Sequence, residues 1–556
     1  MSRTLLAALN ASYSHTNLAV RSIYEYVQMP EKCFWAEWTI NQPYAEILRG
    51  IYSYKPEILI FSTYIWNIEL IQKLVVDVKS ILPDILIGFG GPEAGYAPYF
   101  YLEKLPALDF IVFSDGELTV KEIIVCNGEN LRSIDGLFLR DETGSVVFTN
   151  PRKMPCDLNL LPFAYPEITE PDTRIYYYES SRGCPFSCSY CMSSLDKKVR
   201  FMPLERVFAD IQRFMDNNVK LVKFVDRTFN LNEDRYIAIW NYILAHHNKK
   251  TMFHFEIEAE FLSDKALTFL QTVPSGVMQF EIGVQSANKE TLKASGRSPN
   301  VEKIAENVKR LPKTIHQHLD LIAGLPFEDL ESFSHSFDFV MELKPDALQL
   351  GFLKILHGTK MEEYCSKNGW KWMKNPPYET FSTPYLSYDE INFLKDIEIV
   401  TDAFWNSGNF SKSMNYIGRV KGWWNFFSFA VERGRCSGAF VVQRKETYWF
   451  EFLASLAKEM KDDVFYELLR FDFISAGKKG NFPEWYIHNY DKEKHRNALC
   501  QNEGMDNPKL GFAFSDYETF VFNPLSEKPE DKKGIYEILL IYPKREGNQI
   551  RKQVLL

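Results

Sequence analysis

Three cysteines stand within eight residues in Cys184-Pro185-Phe186-Ser187-Cys188-Ser189-Tyr190-Cys191. A loop this short can turn three thiolates toward one metal centre. Soft thiolate ligands select zinc or iron–sulfur centres. A structural zinc site takes four protein ligands, usually supplied as paired CxxC units. The chain has no second CxxC, and no histidine lies within ten residues of the cluster on either side. Three cysteines on a four-iron cluster would instead leave one iron open to another ligand. The alternative is a zinc knuckle completed by a distant residue such as His254. The remaining cysteines, Cys33, Cys126, Cys156, Cys365, Cys436 and Cys500, are scattered.

The elements that must hold this loop follow from the hydrophobic pattern. Strand-like runs at 175–179, 221–225, 252–257, 278–284, 318–322 and 347–352 alternate with helical stretches. Six βα repeats predict a partial barrel, with the cysteine loop just after its first strand. The first ~125 residues carry a second such series, with strands at 4–9, 57–62, 85–91 and 109–113 and helices at 19–27 and 68–82. Short apolar strands separated by helices indicate a parallel, doubly wound sheet, which binds ligands outside the carboxyl ends of its strands. Those ends carry Ser12, Tyr13, Ser14 and His15; Ser62, Thr63 and Tyr64; Gly90, Gly91, Pro92 and Glu93; and Asp115, Gly116 and Glu117. A nucleotide fingerprint is not met, because Glu93 takes the third glycine position of GxGxxG and the run follows a late strand. Gly90 and Gly91 would let a ligand approach the backbone closely.

Between the two series, 136–147 reads as a hairpin around Asp141-Glu142-Thr143-Gly144. Pro151, Pro155, Pro162, Pro166 and Pro171 then mark a linker. Beyond 376 the rhythm is lost. Phe404-Trp405 and Trp423-Trp424-Asn425-Phe426-Phe427 are followed by a helix at 451–460 and strands at 520–522 and 536–542, without a catalytic motif. The expected fold class is α/β: a doubly wound sheet at 1–135, a hairpin and linker at 136–172, a partial (βα)6 barrel at 173–375, and a mixed α/β domain at 376–556.

Composition sets the bounds. At 556 residues, three or so domains are expected. Hydrophobic residues at 46% and charged residues at 25% are ordinary for a globular enzyme and exclude disordered and collagen-like classes. The net charge of −9 argues against a broad nucleic-acid-binding surface. Aromatics reach 15%, which core packing explains and large flat ligands would also use. No run of ~20 apolar residues predicts a membrane span. The apolar run ending at Leu9 is too short for a signal peptide, so a cytoplasmic location with reduced thiols is expected.

CxxxCxxC with Tyr190 before its last cysteine, placed after the first barrel strand, resembles the radical S-adenosylmethionine (SAM) superfamily. Ser181-Arg182-Gly183-Cys184-Pro185 matches its extended lead-in. With the upstream sheet, the arrangement resembles the cobalamin-binding class of radical SAM enzymes over roughly residues 1–365. The resemblance implies a [4Fe-4S] cluster on Cys184, Cys188 and Cys191, SAM on the open iron, and cobalamin on the first sheet. It implies a 5′-deoxyadenosyl radical that abstracts a substrate hydrogen, most commonly for methylation of an unreactive carbon by methylcobalamin. Cyclisation, ring contraction or rearrangement without methyl transfer would share every motif, and a tRNA-modifying role is the other alternative. An external electron donor such as flavodoxin or ferredoxin is implied, with a small-molecule or peptide substrate and no membrane partner.

The implied SAM contacts are Tyr190, Asp226, Glu256, Glu258, Gln285, Ser286, Asp320 and His357. Gln285 offers donor and acceptor to ribose hydroxyls. Glu256 and Glu258, two apart on a strand, face the same way, so either could pair with the SAM ammonium. Phe224-Val225-Asp226-Arg227 replaces the family's Gly-Gly-Glu-like turn, and Leu356-His357-Gly358-Thr359 would close the adenine side. The implied cobalamin contacts are Ser12, Tyr13, Ser14, His15, Ser62, Tyr64, Gly90, Gly91, Pro92, Glu93, Gly116 and Glu117. Asp-x-His-x-x-Gly is absent, so cobalamin without a histidine from that motif is expected.

Overall fold

The computed structural model describes residues 3–154, 156–168, 173–477, 482–503, 512–531, 533–543 and 552–556. Pro155 and Pro171 of the predicted linker lie outside the described residues.

The first sheet has seven strands: β1 (Thr4–Asn10), β2 (Cys33–Thr39), β3 (Ile58–Ser62), β4 (Leu86–Gly90), β5 (Phe110–Val112), β6 (Leu137–Arg140) and β7 (Val146–Phe148). Their order is β2-β1-β3-β4-β5-β6-β7, with β1 to β5 parallel and the last two antiparallel. Helices cover both faces, so the central strands are apolar on both. Leu5, Leu59, Phe61 and Phe89 join one core, and Leu6, Ile60, Phe110 and Val112 join the other. The sequence pattern misses β2, whose mixed Cys33-Phe34-Trp35-Ala36-Glu37 run is half exposed at the sheet edge. The hairpin read at 136–147 belongs to this sheet as its other edge.

The second large sheet contains β8 (Ile175–Tyr178), β11 (Leu221–Phe224), β12 (Met252–Ile257), β13 (Met278–Gln285), β14 (His316–Ala323) and β15 (Ala347–Phe352). Its order is β15-β14-β13-β12-β11-β8, so β8 and β15 stay unpaired with each other and the barrel is partial. Burial alternates strictly along β13, where Met278, Phe280, Ile282 and Val284 are buried against the helices. Gln279, Glu281, Gly283 and Gln285 face the concave side. Two short strands, β9 (Ser181–Arg182) and β10 (Arg200–Phe201), pair antiparallel and close the neck of the cysteine loop. A small antiparallel pair, β16 (Lys371–Trp372) and β17 (Thr380–Ser382), follows the barrel.

Contacts divide the chain into two compact units, one of 1–329 with 351–387 and the other of 330–350 with 388–556. The second unit is mainly helical and ends in an antiparallel sheet of β18 (Phe512–Phe522), β19 (Lys533–Pro543) and β20 (Lys552–Leu555). Its aromatic runs are core: Phe404, Trp423, Phe426 and Phe427 are buried. Buried Asp472 caps the helix Ser411–Lys421, accepting from Ser413 N at 2.8 Å and Ser413 Oγ at 2.6 Å. Burial pushes its carboxyl up to about 7, against these bonds.

Candidate functional site

The cysteine loop is held by backbone contacts on every side. Cys184 N donates to Asp196 O at 2.8 Å, Ser189 N to Ser295 O at 2.9 Å, and Met361 N to Ser189 O at 2.9 Å. Gly183 has φ +97°, and a Cβ there would stand 2.4 Å from the Lys198 carbonyl oxygen. Gly296 has φ +72°, and its Cβ would stand 2.5 Å from Ser187 O. The loop therefore needs glycine at its lead-in and just past the C-terminus of the helix Lys289–Ala294, which supports it. All three thiols are free, Cys184 buried and the others half-buried. Among the described residues no three His, Cys, Asp or Glu side chains converge as a single-ion site. His254, the distant zinc ligand considered above, is bonded to Glu281 at 3.0 Å. Three spaced thiols fit an iron–sulfur cluster, whose cysteines each take a different iron.

Beside this loop the barrel presents polar groups along its concave face. Arg297 donates to Glu258 Oε2 at 2.7 Å and Gly283 O at 2.8 Å, and its other nitrogen lies 3.9 Å from Cys188 Sγ. The Tyr190 phenol is buried next to it, and burial raises its pKa. Gln285 has φ 69° at a register shift in β13. A side chain at Gly283 would strike the Gln285 amide, so that glycine gives the amide its place. Gln285 Oε1 and Asp320 Oδ1 are buried without a hydrogen-bond partner. Such atoms are costly to leave unpaired and suit a polar ligand. Burial drives the Asp320 carboxyl well up, with Glu281 and Glu256 adding to it.

One layer deeper, Lys223 Nζ reaches Glu281 at 2.9 Å and Glu256 at 3.6 Å. Burial would raise the Glu281 carboxyl, but the His254 bond and Lys223 outweigh it and hold it at about 2. Arg297, Lys223 and Glu281 were not singled out from the sequence. The signal was present in strand parity, since Lys223, His254, Glu256, Glu281, His318 and Asp320 all occupy concave-facing positions.

Other expected SAM contacts are turned inward. Asp226 is buried and accepts from Ser180 N at 2.7 Å, Ser180 Oγ at 2.5 Å and Ser181 Oγ at 2.9 Å. Burial raises it to about 6 against those bonds. It fastens the lead-in of the cysteine loop, while Arg227 beside it lines a cavity. Ser286 is buried and bonds Glu328 at 2.6 Å. His357 bonds Glu362 at 2.9 Å, which raises its pKa, and its ring meets Tyr378 and Phe100.

The strand ends of the first sheet open on a cavity of about 680 Å³. His15, Ser62, Tyr64, Gly90, Gly91, Pro92, Gly116 and Glu117 line it, together with Trp66, Tyr96, Asp115, Tyr177 and Arg182. A Cβ on Gly90 would meet nothing closer than 3.9 Å, whereas at Gly91, with φ +98°, it would strike Thr63 O at 2.6 Å. The pair leaves a bare backbone wall of the kind a large ring ligand needs. Ser12, Tyr13 and Ser14 are off this wall, with Tyr13 79% exposed. Glu93 is buried, accepting from the hydroxyls of Tyr101 and Tyr378. His15 Nδ1 is 2.6 Å from the Tyr177 hydroxyl on β8, and the loop backbone bridges Ile175.

The comparisons agree with this architecture. Residues 6–124 match the B12 binding domain, 178–340 the Radical SAM superfamily, and 366–520 a protein family of unknown function, DUF4080. An uncharacterized methyltransferase, PH0819, of Pyrococcus horikoshii is 26% identical over 313 residues, 52% of this chain and 65% of that protein. The cobalamin-dependent radical SAM methyltransferase TokK of Streptomyces tokunonensis is 25% identical over 362 residues, 61% of this chain and 51% of that one. The matched stretches thus span between about half and two-thirds of these relatives' own lengths. The structure of the cobalamin-dependent SAM radical enzyme OxsB with aqua-cobalamin bound superposes with a TM-score of 0.57 at 15% identity, covering 90% of this chain and 75% of that one. That likeness is one of fold. Among the described residues no helix is long and apolar enough to cross a membrane. The chain thus carries a match to the B12 binding domain ahead of a match to the radical SAM domain, whose three cysteines are in place, an arrangement similar to that of the cobalamin-dependent radical SAM methyltransferases.

Proposed function

We propose that this chain methylates an unreactive carbon of a small-molecule or peptide substrate, using an iron–sulfur cluster, SAM and cobalamin. The observation that carries this reading is a shared wall. Arg182, Gly183, Met192, Ser193 and Asp196, which flank the cysteine loop on either side, line the same cavity as Ser62, Gly90 and Gly116. A corrinoid on the first sheet would therefore lie against the cysteine loop. When bound, the cluster with SAM supplies a carbon-centred radical that removes a substrate hydrogen, and cobalamin supplies the methyl group.

The protein's own part is to bind and orient. Cys184, Cys188 and Cys191 would hold the cluster. Arg297, fixed by Glu258, would meet the carboxylate of SAM, and the Gln285 and Asp320 oxygens that lack a hydrogen bond would take its ribose hydroxyls. Burial favours the protonated form of the Asp320 carboxyl, a form that can donate as well as accept. The first sheet would hold cobalamin through Gly90, Gly91 and the loops at Ser62 and Gly116. Asp-x-His-x-x-Gly being absent, cobalamin would be held without a histidine from that motif.

The test is anaerobic isolation with cobalamin uptake, followed by turnover on a small-molecule extract. 5′-Deoxyadenosine, S-adenosylhomocysteine and product mass are then counted. Methylation yields the two nucleosides in equal amounts and a product heavier by one methylene. 5′-Deoxyadenosine without S-adenosylhomocysteine would replace the proposal with cyclisation or rearrangement. A product found only when RNA is supplied would move the substrate to nucleic acid. Absence of any bound corrinoid after reconstitution would overturn it.

A further inference from the structure

Arg182 stands two residues before Cys184, yet its guanidinium is turned to the loop that ends β5. Nη1 donates to Asp115 Oδ1 at 2.9 Å, and Nη2 donates to Glu117 Oε1 at 2.8 Å and Glu179 Oε2 at 2.7 Å. Nε donates to Glu179 Oε1 at 3.0 Å. Asp115 and Glu117 flank the start of the helix Gly116–Val125 and line the strand-end cavity. Arg200, opposite Arg182 in the β9–β10 ladder, binds Asp115 Oδ2 at 2.7 Å and Asp196 Oδ2 at 2.9 Å. The Asp196 carbonyl in turn receives Cys184 N–H at 2.8 Å.

Side chains on the cavity wall and the backbone of a cluster cysteine are therefore joined by a short, largely half-buried, charged chain. A fork with donors on three nitrogens gives this junction a fixed geometry, as a single ammonium could not. The connection has little slack. Gly183, between Arg182 and Cys184, is pressed against the Lys198 carbonyl at a φ only glycine adopts readily. Asp115 and Glu117 are part of the wall that a ligand in the cavity would meet, and Arg182 ties both to the lead-in of the cysteine loop.

We propose that Arg182 is a positioning residue that couples occupancy of the strand-end cavity by cobalamin to the geometry of the cysteine loop. The proposal rests on the cofactor reading given above. It is tested on the full chain, anaerobically reconstituted with iron and sulfide, without turnover. Hydroxocobalamin is titrated by visible absorbance, and the paramagnetic-resonance spectrum of the reduced cluster is recorded with and without it. In the wild type, cobalamin should bind and change the cluster spectrum. Arg182→Met should keep its iron, bind hydroxocobalamin about tenfold more weakly, and lose the cobalamin-dependent change, since site-to-site couplings are of order 5- to 150-fold. Arg182→Lys should restore less than half of either effect. If Arg182→Met does not fold, Asp115→Asn with Glu117→Gln cuts the same chain from the cavity side and should also abolish the change. A wild-type cluster spectrum indifferent to bound cobalamin would overturn the coupling, as would variants that respond as the wild type does. A wild type that binds no cobalamin would instead defeat the cofactor reading beneath it.

Discussion

The two parallel sheets solve the same topological problem with opposite chemistry. In the first sheet β1 and β3 are buried along their whole length, and the polar groups that face a ligand sit only where the strands stop. In the barrel, β13 and β14 alternate between buried and half-buried residues, and the polar half runs the length of the strand. The cause is coverage. A flat parallel sheet takes helices on both faces and must be apolar on both, whereas a curved one takes helices outside only. A flat sheet thus offers a ligand its edge, while a curved one offers an interior.

The sharpest consequence is at the loop between them. Replacing Cys184, Cys188 and Cys191 together by Ala should remove bound iron and all SAM cleavage. An iron assay after anaerobic reconstitution reads this directly, and retained iron would refute the cluster assignment. Next in size is a matched pair of core truncations. Leu59→Ala, wholly buried in β3, should lower stability by about 2–5 kcal/mol, because the cavity cannot collapse. Leu221→Ala, half-buried on the concave face of β11, should cost about 1 kcal/mol or less by the same principle. Equal losses in urea unfolding would erase the distinction between the sheets.

Gln285→Ala or Asp320→Ala should keep the cluster and weaken SAM binding. Losing a hydrogen bond to a buried ligand group costs about 1–3 kcal/mol, or about 5- to 150-fold in affinity. Unchanged affinity in both variants would mean that the ligand lies elsewhere in the barrel. The smallest effect concerns pH. Glu281 is held at about 2, below its ordinary 4.5, so its contribution to stability is present above pH 4.5 and fades as pH falls toward 2. With its side chain a quarter exposed, this amounts to about 1–2 kcal/mol after allowance for solvent screening. Glu281→Gln should flatten that acid limb.

The sequence was legible where one pattern had one cause. The apolar runs at β3 and β4 announced strands because both faces are buried, and the cysteine spacing needed no fold to be read. Strand β2 was hidden because an edge strand with one covered face mixes Trp and Glu. Asp226 and Ser286 look like ligand contacts in sequence, and only the neighbours Ser180 and Glu328 reveal that they face inward. Arg297 became visible only once β12 and β13 were in register, because its partner Glu258 is 39 residues away. The second unit offered aromatic runs and no motif, and these proved to be packing.

The bridge between His15 and Ile175 also has a meaning for handling the protein. Strand β8 is the outer strand of an open sheet, with peptide groups of the kind that recruit other chains. Ser14 and Thr16 occupy part of that border, Ile175 N donating to Ser14 O at 2.7 Å and Thr16 Oγ1 to Ile175 O at 2.9 Å. The amino-terminal sheet thus acts as a built-in guard against self-association of the barrel. A fragment that starts after residue 172 would bare this border and precipitate, however well its own core is packed.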